Sequence, residues 1–127
     1  MGGVVRNRDG AFRPGVASEA SDPRLTGRLS LAVNFNDYAA LGGPQVFNEA
    51  FRIVNEEGAW QQMPTIGMNF ADGTSSGEVG VLVGEGAYEG LIAVFSNVPN
   101  ALTERWDLHG YIIDDELPPA PEPFVEE

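Results

Sequence analysis

The sequence predicts an all-β fold: a single antiparallel up-and-down β-barrel of about eight strands over residues 1–116, with an extended Pro/Glu-rich tail over 117–127. Apolar residues recur at every second position in short runs, the period of a half-buried strand. Clusters of Gly, Asp, Asn and Pro separate those runs at hairpin-length intervals. No long stretch carries the 3.6-residue period of an amphipathic helix. At 127 residues the chain has the length of one domain, with a core that needs no covalent staples.

In chain order, Val4–Arg8 and Phe12–Ser18 flank Asp9-Gly10, a strong turn pair, and predict a first hairpin. Ser21-Asp22-Pro23-Arg24 predicts a corner, because Ser and Asp bond their own backbone and Pro presets φ. From Arg28 to Phe35, Leu29, Leu31, Val33 and Phe35 fall on one face of a strand. After a loop at Ala39–Pro44 the same period returns in Phe47–Val54. Asn55-Glu56-Glu57-Gly58 turns that strand onto Ala59–Met63, which runs through Pro64 towards Phe70. Pro64 removes a ladder donor and marks an edge, a bulge or a bend. Ala71–Gly77 is a polar turn leading to Glu78–Val83, and Leu91–Val98 with Glu104–Ile113 forms the last pair. Between them, Gly84, Gly86 and Gly90 read as tight or bulged positions in a strand connection. Closing such a meander removes exposed edges, and its interior is either filled by side chains or holds one small ligand.

The charge balance excludes several classes of function. Nineteen acidic residues stand against seven basic ones, a net charge of −12, and every basic residue is Arg. Nucleic acid and anionic membrane surfaces need clustered cations, so neither is an expected partner. No run approaches the ~20 apolar residues of a membrane-spanning helix. Without Cys there is no disulfide, thiolate metal site or thiol nucleophile. Gly84-x-Gly86-x-x-x-Gly90 departs from the dinucleotide spacing, is followed by β-formers, and carries Glu85 and Glu89 where a phosphate would sit. The first residues, Met1-Gly2-Gly3-Val4-Val5-Arg6, contain no apolar leader core, so no signal peptide is expected on this chain. Localisation stays open between the cytoplasm and, for a processed chain, secretion. A homo-oligomer also stays open.

Four segments carry a family resemblance: Val81–Leu91, Ser21-Asp22-Pro23-Arg24-Leu25-Thr26-Gly27, Gly58-Ala59-Trp60 and Trp106-Asp107-Leu108-His109-Gly110-Tyr111-Ile112. Together they resemble small bacterial barrels of the allene oxide cyclase and dirigent-like superfamily, over residues 21–113. The resemblance implies a cofactor-free barrel that binds a small apolar ligand. Its enzymatic form would be a cyclase or isomerase acting on a reactive intermediate in the lumen. The family's catalytic positions do not align here residue by residue, so none is carried over. The rival reading is a non-catalytic structural or interaction domain with a filled core.

Glu49 is the candidate catalytic residue, because it shares a strand face with Phe47, Phe51 and Ile53, where burial would favour its neutral form. Phe35, Phe47, Phe51, Trp60, Gln62, Met68, Phe70, Phe95 and Trp106 fall on the more apolar faces and are the expected lumen lining. His109, the single histidine, shares a face with Asp107 and Tyr111, and Arg105 lies on that side too. That row reads first as a solvent-facing one opposite Trp106, Leu108 and Ile112. Ser96 and Thr65 lack any motif that would mark a nucleophile. One His and no Cys leave only carboxylates for a metal, and Asp114-Asp115-Glu116 lacks the loop geometry of a hard-cation site, so no metal or cofactor is expected.

Overall fold

A computed structural model describes the backbone over residues 5–18, 21–100 and 105–123, and the side chains over residues 21–98 and 107–123. The strands are β1 (Val5–Ser18), β2 (Gly27–Asp37), β3 (Gln45–Val54), β4 (Gly58–Gln62), β5 (Thr65–Asn69), β6 (Glu78–Gly86), β7 (Ile92–Asn100) and β8 (Arg105–Ile113). All pairings are antiparallel. The sheet runs β1-β2-β3-β4-β6-β7-β8, and β5 pairs with β3 off that path. The all-β antiparallel meander is therefore the fold. The sheet is open: no pairing of β1 with β8 occurs among the described residues. Two 3₁₀ turns, Pro23–Leu25 and Ala39–Leu41, are the helical pieces among the described residues. Residues 114–123 carry no regular secondary structure.

One expected element is corrected. Asp9-Gly10 does not turn a hairpin; it lies inside the continuous strand β1. The register against β2 passes from Asn7↔Phe35 to Ala11↔Val33, so the residues around the Asp-Gly pair form a bulge. A second shift falls between Arg13 and Val16, at Pro14-Gly15, where proline has no ladder donor to lose. The turn signal was genuine chemistry, but β2 offered the whole of β1 a partner.

No second layer covers the apolar face among the described residues, so the sheet has to bury that face on itself. Phe51 on β3 and Phe95 on β7 show how far it curls. Three strand spacings separate them, about 14 Å in a flat sheet, yet their ring centroids lie 5.6 Å apart. Around this contact Phe51, Ile53, Trp60, Leu82, Tyr88, Ala93 and Phe95 form one buried cluster. Leu29 and Leu31 of β2 pack against its edge, as their alternation predicts.

One end of the curled sheet is plugged. Trp60 is fully buried; its Nε1 donates to the Arg24 carbonyl at 2.9 Å, and its ring stacks on Tyr88 at 5.1 Å. The Tyr88 hydroxyl donates to Asn55 Oδ1 at 3.1 Å. Asn55 Nδ2 in turn donates to the carbonyls of Arg24 and Thr26, each at 3.1 Å. Residues from the turn before β2, from the β3–β4 turn and β4, and from the β6–β7 turn thus meet in one architectural knot. Gly84 is required there, because a Cβ at that position would lie 2.0 Å from the Tyr88 carbonyl oxygen. Gly84→Ala is expected to destabilise the fold by about 1–3 kcal/mol through overpacking. The check is a lower urea midpoint at unchanged slope.

Candidate functional site

The site begins where two strands part. β3 has two partners on one side: residues 52–54 pair with β4, and residues 45–49 pair with β5. β4 stays on β6 through Gln62↔Leu82, and the Met63 N–H still reaches the Val81 carbonyl at 2.9 Å. Pro64 follows, with no N–H to continue a ladder, and the chain swings over to β3 as β5. The first residues of β6 keep β7 as partner but have no ladder to β5. The sheet therefore forks after Gln62, and the expected bend at Pro64 is where it happens.

Gln62 seals the base of the fork. Beyond Arg52↔Gln61 the β3–β4 pairing ends, and the Gln62 side-chain Oε1 accepts the Phe51 N–H at 2.9 Å in place of a ladder carbonyl. Its Nε2 points to Glu78 Oε1 at 3.5 Å. Gly80 makes room: a Cβ there would lie 2.6 Å from the Phe95 ring and 3.2 Å from Gln62 Nε2.

Across the fork, Glu78 and its cross-strand partner Asn97 are buried, at 8% and 6% exposure. Asn97 Nδ2 donates to Glu78 Oε1 at 3.3 Å. Glu78 Oε2 and Asn97 Oδ1 are buried without a hydrogen-bond partner, a state that costs about 1–3 kcal/mol per group. Glu49, half-buried on β3 opposite Val33 and Thr65, interacts with the Glu78 carboxyl. Burial first, and then the hydrogen bond and like charge of Glu78, push the Glu49 carboxyl up to about 8. Burial and the neighbouring Glu78 carboxyl thus both favour the neutral, protonated form of Glu49.

A cleft of about 520 Å³ opens along the fork, within the ~300–1,000 Å³ range of small-molecule sites. Val46 of β3, Ile66 and Met68 of β5, and Val79 and Val98 of β6 and β7 give it apolar walls, while Glu78 and Asn97 supply buried polar groups. Of the expected lining, Met68 is on the wall. Phe47, Phe51, Trp60, Gln62 and Phe95 are buried in the sheet's inner face instead. Phe35 is half-buried, and Phe70 is 40% exposed beyond the end of β5. The Trp106 side chain lies outside the described residues, as does that of Arg105.

His109 is exposed, Tyr111 is 81% exposed and Asp107 is half-buried. Ser96 lines the cleft, whereas the Thr65 hydroxyl donates to the Met63 carbonyl at 3.2 Å. Residues 114–116 are exposed, and no metal-ligating cluster occurs among the described residues. Glu78 and Asn97 were missed by sequence reasoning. The signal was present: Glu78 opens the alternation Glu78, Gly80, Leu82, Gly84, and Asn97 continues Ala93 and Phe95. Compared with protein-family models, curated proteins and solved structures, the chain matches none.

The raised Glu49 value has a direct consequence for stability. Between about 4.5 and about 8 the folded state holds a proton that the unfolded chain releases. Stability therefore falls as pH rises through that window and levels off above it. Glu49→Gln is expected to flatten this decline in urea unfolding series run from pH 5 to pH 8.

Proposed function

We propose that this protein binds a small, mainly apolar molecule in the fork cleft, and that the Glu49–Glu78 pair moves a proton on it as a cofactor-free isomerase or cyclase. The observation that carries this reading is a buried carboxyl, Glu78, that lines an apolar-walled cleft of about 520 Å³ and interacts with a second, half-buried carboxyl, Glu49. Glu78 faces the cleft and is the group that meets the ligand. Glu49, outside the cleft lining, supplies or receives the proton. An isomerisation takes one proton from a ligand and returns one elsewhere, so one carboxylate acting as base and one protonated carboxyl acting as acid balance it without an external oxidant or reductant. The ionised pair also holds developing positive charge, as a cyclisation through a cationic intermediate needs.

The finer fold reading belongs to the same proposal. The curl that brings Phe51 against Phe95 supports a barrel-like sheet of the allene oxide cyclase and dirigent-like kind, with β1 and β8 unpaired with each other among the described residues. The aromatic cluster, with Trp60 at 0% and Leu82 at 1% exposure, fills the interior, so the ligand is assigned to the fork rather than to a lumen. That filled interior also favours the rival, a domain without catalysis.

A β,γ-unsaturated cyclohexenone separates the two readings, since its conjugation requires one proton removed and one returned. Turnover followed by its ultraviolet absorbance is expected, with amide shifts at Gly67 and Val79. Glu78→Gln should lower the rate about 10²–10⁴-fold. Absence of both binding and turnover would leave the structural domain as the function.

A further inference from the structure

The polar end of the cleft selects the chemistry of its ligand. Resting on the reading that the cleft takes a small molecule, we infer that this molecule is an alkylammonium ion: its N–H groups donate to Glu78 Oε2 and Asn97 Oδ1, and its alkyl part lies against Val46, Ile66, Met68, Val79 and Val98. Glu78 and Asn97 are both more than nine-tenths buried and both line the cleft, and the oxygens in question have no partner in the protein. They belong to cross-strand neighbours whose side chains are already in contact, Asn97 Nδ2 to Glu78 Oε1, at 3.3 Å. One ammonium head can therefore serve both.

Charge points the same way. The ion pairs among the described residues are Arg24–Asp22 and Arg52–Glu85, and neither involves Glu49 or Glu78. The chain contains no lysine that could supply an ammonium of its own. A buried carboxylate without a counter-charge is costly, and a cation seated in the cleft removes that cost. A bare metal ion fits poorly, because hard cations take about six oxygen ligands and the walls here are valine, isoleucine and methionine side chains. A neutral alcohol brings one donor for two orphan acceptors and no charge.

A cation beside Glu78 would also favour the ionised form of Glu49, so its binding should release the proton that Glu49 holds. Around Glu78, β3 brings Glu49, β4 brings Gln62, β7 brings Asn97, and β5 brings the uncharged Thr65 and Gly67. On β8, His109 and Asp107 stand opposite Ser96 and Val98, at the rim of the cleft. Glu49 and His109 are therefore the two groups to separate in a pH experiment.

The test uses hexylammonium chloride, 1-hexanol and sodium hexanoate with the full chain, by calorimetry in buffers of differing ionisation enthalpy and by amide shifts at Gly67 and Val79. Hexylammonium should bind at least about tenfold more tightly than hexanol, a difference easily resolved by titration, and hexanoate more weakly still. Glu78→Gln and Asn97→Ala should each lose about tenfold or more. Asp114→Asn, which removes the same charge from an exposed position, should lose nothing. Between pH 5 and pH 8, binding should release up to one proton; Glu49→Gln should abolish the release and His109→Gln should preserve it.

Equal affinity for hexanol overturns the ammonium inference while leaving the small-molecule cleft standing, and no amide shift with any of the three overturns both. An equal loss in Asp114→Asn, or release that follows His109, also overturns the inference. Thermal unfolding of each variant verifies its fold. Should Glu78→Gln not fold, Asn97→Ala and the proton count decide the question alone.

Discussion

The parting of β4 and β5 at Pro64 is the constraint on which the rest of the site depends, because a proline cannot continue a ladder on both sides of itself. Residues 58–62 belong to β6, and residues 65–69 belong to β3. The wedge between them would expose the Phe51 amide and the start of β6. Gln62 closes the first gap with its side chain, which fixes its carboxamide in one orientation and aims Nε2 at Glu78. The second gap is left as the cleft. A backbone requirement has thus determined where the polar side chains sit.

Shape and chemistry occupy opposite ends of the same strands. At the end where Gly84 and Gly58 lie, Asn55, Trp60 and Tyr88 tie the turn before β2, the β3–β4 turn and the β6–β7 turn together through satisfied hydrogen bonds. At the other end Glu78 and Asn97 keep unsatisfied oxygens. Buried groups with complete partners rigidify a fold, whereas incomplete ones need a further donor. This division explains why residues 21–27, 58–60 and 81–91 say so little about activity: they build the knot. Arg52, paired with Glu85 on the outer face, likewise serves strand pairing rather than the acid pair.

The strands themselves were largely legible, because each alternation was deep enough to specify a face. Leu29, Leu31, Val33 and Phe35 lie opposite Ile53, Phe51, Glu49 and Phe47, residue for residue, as two inner faces should. The bend at Pro64 and the polar turns were legible for similarly local reasons. Asp9-Gly10 misled because a local turn preference competed with a long pairing partner that no local window contains. Glu49 was visible as an acid among aromatics. Its partner was not, since Glu78 lies on another strand and only the curl of the sheet brings the two together. The expected lumen failed to predict the cleft for the same reason. Alternation tells which residues face inward, but not whether they touch.

Packing alone gives no reason for acids at positions 49 and 78. Glu49 has Val33 across the strand and Phe47 and Phe51 on its own face, a setting in which an apolar side chain would bury without desolvating a charge. Glu78 occupies an inner-face position in the same alternation as Leu82, whose side chain is almost completely buried. Replacement of such a pair by well-packed hydrophobic residues is often neutral or stabilising in proteins generally. Here the pair is accompanied by two carboxamides, Gln62 and Asn97, that hold one oxygen of Glu78 and leave the other, on a residue that lines the cleft, without a partner. Gln62 has an alternative explanation, since Phe51 needs its acceptor. Asn97 has none: among the described residues its side-chain oxygen meets no donor, and its amide donates to Glu78. A polar arrangement that weakens the core, leaves acceptors open and lies on an apolar-walled cleft is accounted for by what the cleft receives, not by the sheet it interrupts.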